Sequence, residues 1–193
     1  MKFYVLNIQL VDIEPVIWRR LVVPSDITLD RLHDVIQISF ELEDRHLFEF
    51  VIGDKRYTQQ PESENEGLEC GQYVLGDLVK RAKTKFKYFY DFGDGWEYEL
   101  TLENSNYKVK PDEFYLCIQD GARSAPPEDV GGIPGYENFC HIMKNKKHPE
   151  YNDMIEWYGD EFDPEEFNLR WVQLHLYRYI RHSRHRFVDW CLS

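Results

Sequence analysis

Residues 86–102 restrict the fold of this chain more than any other stretch. Phe86, Tyr88, Tyr90 and Phe92 alternate into a Gly93-Asp94-Gly95 turn, and Trp96, Tyr98, Leu100 and Leu102 alternate out of it. Lys87, Glu97, Glu99 and Glu103 take the opposite face. Period-two patterning about a glycine turn predicts a β-hairpin with one aromatic face, the face that must be buried. The carboxylates Asp91 and Asp94 fall at its bend.

The flanking sequence supplies partners for that face. Tyr4, Leu6, Ile8 and Leu10 alternate, so 3–12 reads as a strand, and 16–23 as a second strand after Glu14-Pro15. Leu29, Leu32, Ile36 and Phe40 repeat at helical spacing, which predicts a helix over 28–40 with Thr28 as N-cap and Asp30 in its first turn. Strand character returns at 47–52, and the acidic run 61–69 reads as a surface loop. A short helix is expected near 77–81. Residues 119–135 carry neither period, and their glycines and prolines suit a fixed loop. Beyond them helices are predicted to about residue 146, over 148–159, and from an Asp163-Pro164-Glu165-Glu166 start onward. The expected class is therefore α+β: a mostly antiparallel sheet, one packed helix and a helical C-terminal third. A single domain spans 1–193, with its core at about 3–176 and a basic tail at about 181–193.

With 193 residues, 16% of them aromatic, the chain can bury one sizeable core. Its net charge of -12 opposes a broad grip on phosphate backbones, although a local basic patch can act against the total. Cys70, Cys117, Cys140 and Cys191 stand far apart, a spacing that suits reduced thiols in a cytoplasm. The N-terminal apolar run is interrupted by polar residues, so neither a signal peptide nor a membrane association is expected.

A set of ordered motifs carries a family resemblance. They are Ile17-Trp18-Arg19-Arg20, Val23-Pro24, Leu29-x-x-Leu32-His33, His46-Leu47-x-x-Phe50 and Asp91-Phe92-Gly93-Asp94-x-Trp96. Pro126-Pro127-Glu128-Asp129-Val130-Gly131-Gly132, Gly135-Tyr136, His148-Pro149, Trp157-x-Gly159 and Phe162-Asp163-Pro164 complete them. Over about residues 3–176 the chain resembles the plasmid pRiA open-reading-frame-three-like family, whose members are often labelled mobile-element TnpR passenger proteins. The resemblance implies a mixed α/β fold and, in some members, association with plasmids or insertion elements. It implies no reaction. Two positions depart from the family pattern: Tyr98 stands where a histidine is common, and Ala125 where a cysteine is common. A metal site built on either would be incomplete in this chain.

Asp91, Asp94, Glu128 and Asp129, with His46 and His33 as neighbours, form the one acidic constellation. Such donors hold Mg²⁺, Mn²⁺ or Zn²⁺, or act as an acid/base pair, if folding gathers them. The same residues also read as fasteners: Asp91 and Asp94 bonding turn amides, and Glu128 and Asp129 pinning the long loop to backbone N–H groups or to Arg19 and Arg20. Val130-Gly131-Gly132 offers backbone donors but lacks the full phosphate-loop pattern. Arg178, Arg181, Arg184 and Arg186, interleaved with Tyr177, Tyr179 and Phe187, form the best nucleic-acid candidate, and Lys80 to Lys87 a smaller basic patch.

Taken together, the sequence favours a non-enzymatic binding or accessory protein without a cofactor. Its partner is a protein or a nucleic acid, and the expected surface comprises Trp96, Glu128, Asp129, Gly131, Gly132, Arg178, Arg181 and Arg184. The alternatives are a metal-assisted hydrolase using Asp91, Asp94, Glu128, Asp129 and His46 around a divalent ion, and a nucleic-acid-binding protein using the basic C-terminal segment.

Overall fold

The computed structural model describes residues 2–63, 65–111 and 113–182. Its elements are β1 (Phe3–Leu10), β2 (Trp18–Pro24), α1 (Leu29–Ser39), β3 (Phe48–Ile52), β4 (Lys55–Thr58), β5 (Leu68–Glu69), α2 (Leu75–Leu78), β6 (Lys85–Tyr90), β7 (Trp96–Tyr107), β8 (Cys117–Ala122), α3 (Gly132–Met143), α4 (Tyr151–Tyr158) and α5 (Leu169–His182). Among the described residues the strands form one sheet in the order β5-β4-β3-β6-β7-β1-β2-β8. Every pairing is antiparallel except β4 with β5. The class is α+β. No helix among the described residues is long and apolar enough to cross a membrane.

The hairpin pattern dictates the layering. β6 and β7 place Tyr88 opposite Tyr98 and Tyr90 opposite Trp96. These rings are buried in one core with Leu6 and Ile8 of β1 and with Leu29, Leu32, Val35 and Ile36 of α1. Each such side chain removed from water contributes about 1.5–3 kcal/mol, which makes this layer the main source of stability. The outer face is polar and cross-paired: Lys85 with Glu99, Lys87 with Glu97, and Arg20 with Glu103. Exposed pairs of this kind add little. They do occupy cations of the 80–87 patch that would otherwise face a partner.

Arg19 is the exception in the core, a cation that is fully buried. Its Nε donates to the Ser39 carbonyl (2.7 Å), Nη1 to the carbonyls of Trp18 and Ala122 (both 2.9 Å), and Nη2 to that of Arg123 (2.8 Å). The guanidinium lies over the rings of Phe40 (4.9 Å) and Phe167 (4.1 Å). Burial lowers its pKa to about 10, so it stays charged at neutral pH. It joins the end of α1 to the exit of β8, rather than pinning Glu128 or Asp129. Arg20 likewise turns to Glu103 and Gln119.

His33 sits between α1 and the sheet. One ring nitrogen meets the Tyr88 hydroxyl (2.7 Å) and the other Asp44 (2.9 Å), and the ring stacks on Phe48 at 3.6 Å. Burial lowers its pKa, outweighing Asp44, Asp34 and Asp30, which act to raise it. A depressed base binds fewer protons folded than unfolded below about pH 6.5, so its contribution to stability is lost as pH falls through that range. Urea midpoints are therefore expected to drop on going from about pH 7.5 to about pH 5.5, and the drop should shrink in His33→Gln. Identical drops in both proteins would assign the pH dependence elsewhere.

Several expectations are corrected. Phe92 does not continue the buried face: β6 stops at Tyr90, Asp91 adopts φ 54°, and Phe92 is 54% exposed. The 119–135 run is not wholly irregular, because β8 adds an edge strand through Ala122. Thr28 caps no amide of α1; its hydroxyl bonds Asp30. Nor does α5 begin at Asp163-Pro164. Those residues form a turn whose carbonyls accept from Ser124, and Asn168 is the residue whose side chain accepts from Trp171 N–H (3.0 Å) in the first turn of α5.

Candidate metal centre

Three segments distant in sequence meet beyond the end of the hairpin. Asp91 begins the turn, with Gly95 N–H closing on its carbonyl at 2.6 Å. Its Oδ1 accepts from the amides of Gly93 (2.9 Å) and Asp94 (3.3 Å), an Asx-type arrangement that suits aspartate at positive φ. That leaves Oδ2 directed away from the turn. Asp94 instead reaches across to the second loop and accepts from Gly131 N–H at 3.0 Å. Behind this contact Gly132 packs so closely that a Cβ would stand 2.6 Å from the Asp94 carbonyl oxygen, at a φ of +67°. Glycine is required there, and the hairpin tip and the 124–131 loop are held as one unit.

Glu128 is anchored through one oxygen. Its Oε1 accepts from Glu43 N–H (2.7 Å) and from the Tyr90 hydroxyl (2.8 Å), which in turn accepts from Arg45 N–H (3.0 Å). Burial first, then the bond to Glu128, raises the Tyr90 pKa, so the phenol remains a donor. Asp129 follows at φ 58° with an exposed carboxylate.

His46 faces all three. Its Nε2 lies 3.2 Å from Asp129 Oδ1 and 3.6 Å from both Asp91 Oδ2 and Glu128 Oε2. The nitrogen is buried and makes no hydrogen bond. Three carboxylates thus surround one imidazole, an excess of negative charge even when that ring is protonated. One donor atom each from His46, Asp91 and Asp129 can be chosen within 4.8 Å of one another. Donors bound to one ion at about 2.1 Å stand roughly 3.0–3.4 Å apart at octahedral or tetrahedral angles. The Asp129 separation falls in that range, and those to Asp91 and Glu128, at 3.6 Å, lie just outside it. A nitrogen with two or three carboxylate oxygens suits Mn²⁺, Zn²⁺ or Fe²⁺ better than a thiol-seeking ion.

The remaining candidates separate from this cluster. Trp96 is 3% exposed and opposes Tyr90 inside the core, so it offers no surface to a partner. The amide of Gly131 is already engaged by Asp94. Of the two family departures, Tyr98 is fully buried and close enough to Glu128 for that carboxylate to add to the rise that burial gives its pKa, and Ala125 lines a neighbouring cleft with Glu128 and Asp129. Arg178 and Arg181 are exposed on α5, whereas Arg184 and Arg186 lie outside the described residues. The role of Tyr90 as anchor is not visible in the sequence. Its place beside Asp91, at the end of an aromatic strand, is the one hint.

The fold and the cluster define an α+β protein with a histidine–carboxylate centre at the hairpin tip. The chain belongs to the plasmid pRiA4b ORF-3-like protein family, whose family model matches residues 2–171. It is 36% identical over 156 residues to the uncharacterized protein y4hQ of Sinorhizobium fredii (strain NBRC 101917 / NGR234), covering 80% of this chain and 79% of that protein. The crystal structure of MM3350, a protein of unknown function from Methanosarcina mazei Go1, is similar with a TM-score of 0.78 and 33% identity, over 88% of this chain and 96% of that one.

Proposed function

We propose that this protein binds one divalent transition-metal ion through His46, Asp91 and Asp129, with Glu128 beside them, and uses it in metal-assisted hydrolysis. The observation that carries the reading is the buried, unbonded His46 Nε2 with three carboxylate oxygens at 3.2–3.6 Å. Hydrogen-bonded fasteners place donors and acceptors in contact. Here the acceptors crowd a point that a cation would neutralise.

Three protein ligands would leave room for a bound water, whose pKa a divalent ion would lower toward neutrality. Glu128, fixed by Tyr90 and the Glu43 amide, supplies an adjacent carboxylate as proton acceptor. A cytoplasmic location accords with the buried, unpaired thiols of Cys70, Cys117 and Cys140. The binding-module reading keeps the same cluster as a plain ion-pair network.

Calorimetric titration of chelator-treated protein with Mn²⁺ and Zn²⁺ separates the two. Saturation at one ion per chain is expected. Heats no larger than those of a His46→Ala control would return the cluster to a structural role.

A further inference from the structure

A cleft of about 400 Å³ opens beside the centre and shares Glu128 and Asp129 with it. Its walls differ in kind. On one side Trp157 is 46% exposed although its ring is braced edge-on against Phe139, with centroids 5.6 Å apart and planes at 72°. Phe162 continues that wall and packs on the same Phe139 ring at 4.9 Å. An exposed indole supported from behind is a preformed stacking platform.

Other lining residues are charged. Glu41 and Glu43 line the cleft with Arg45, and Arg45 is already paired with Glu43. Counting Glu128 and Asp129, four carboxylates and one guanidinium line the cleft, and Glu41 also accepts from the Trp171 side chain and lies near the buried Arg19. Such a cleft repels phosphates and free carboxylates and attracts cations, and narrow low-dielectric walls strengthen the preference. Its volume suits a small molecule or one amino-acid side chain with its neighbours.

We infer that this cleft takes a ligand joining a cationic amine or guanidinium to a flat apolar group, the apolar group lying on Trp157 and the charge facing Glu41. Binding in the cleft is independent of the metal reading; only the fate of the bound ligand rests on it. Asp129 belongs to both places, so a ligand in the cleft would lie beside any ion held there. An extended nucleic-acid strand is the wrong chemistry for this cleft.

Tryptamine and indole-3-acetate carry the same ring with opposite charge, and both are titrated into the full chain with and without Mn²⁺. Tryptamine is expected to bind and indole-3-acetate to bind at least about tenfold more weakly; Trp157→Ala and, independently, Glu41→Gln should each weaken tryptamine by about tenfold. Equal binding of the two probes, no tryptamine binding, or tryptamine binding indifferent to both substitutions overturns the inference. The probe contrast in the wild-type chain stands even if one variant folds poorly. Tryptamine binding as expected in a chain that takes no Mn²⁺ keeps the cleft and removes the metal centre. Mn²⁺ binding without tryptamine binding does the reverse.

Discussion

Asp129→Asn is expected to bind Mn²⁺ at least about a hundredfold more weakly than wild type, since even outer-shell losses cost 10–100-fold. It should nevertheless melt no lower without metal. The amide has the same shape as the carboxylate, and asparagine tolerates the φ of 58° at this position at least as well as aspartate. Removing one of three carboxylates around His46 relieves repulsion in the metal-free cluster. If the cluster were only a network pinning a protonated His46, the same change would delete an ion pair worth up to about 1 kcal/mol and lower the melting temperature. The two readings thus predict opposite signs. With ion at about a hundred times its Kd, wild type gains about 2.7 kcal/mol and the variant should gain almost none. Unchanged Mn²⁺ affinity in Asp129→Asn, measured by calorimetry, would take this residue out of the ligand set.

The second large effect belongs to Arg19. Arg19→Met is expected to cost about 3–5 kcal/mol, because it leaves buried carbonyls unmet and removes the packing between Phe40 and Phe167. For a chain of this length that is on the order of a 10 °C fall in melting temperature. Arg19→Lys should fare little better, since one ammonium group cannot span carbonyls that a planar fork reaches together. Metal affinity should fall as well. The segments that bring Glu43 to His46 and Ser124 to Asp129 leave from Ser39 and Arg123, whose carbonyls the guanidinium holds. Denaturant unfolding of Arg19→Met within about 1 kcal/mol of wild type would show that water or a rearranged side chain replaces the fork.

How far the sequence foretells this arrangement depends on which signals are local. The alternation from Phe86 to Leu102 gives the hairpin and its buried face, because side-chain direction along a strand depends only on period. It fails at Phe92, where the left-handed turn at Asp91 inverts the parity and buries the acid instead of the ring. β8 escapes the same signal because Cys117–Ala122, with Gln119, Asp120 and Gly121 in it, is an edge strand without clean alternation. The Asp163-Pro164 pattern imitates a helix start, yet its carbonyls are used by Ser124, and Asn168 does the capping. Each member of the His46–carboxylate cluster is recognisable from its chemistry. Their convergence is not legible, because it depends on β3 pairing with β6 and on the Asp94–Gly131 contact, both long-range.

If the cluster holds an ion as proposed, that dependence sets when the ion could enter. His46, Asp91 and Asp129 lie on three segments joined only by finished tertiary structure, so an emerging polypeptide has no partial chelate to trap whatever metal is most abundant during synthesis. Selection among ions would then fall to a rigid, completed scaffold, in which size and preferred coordination angles would decide the occupant.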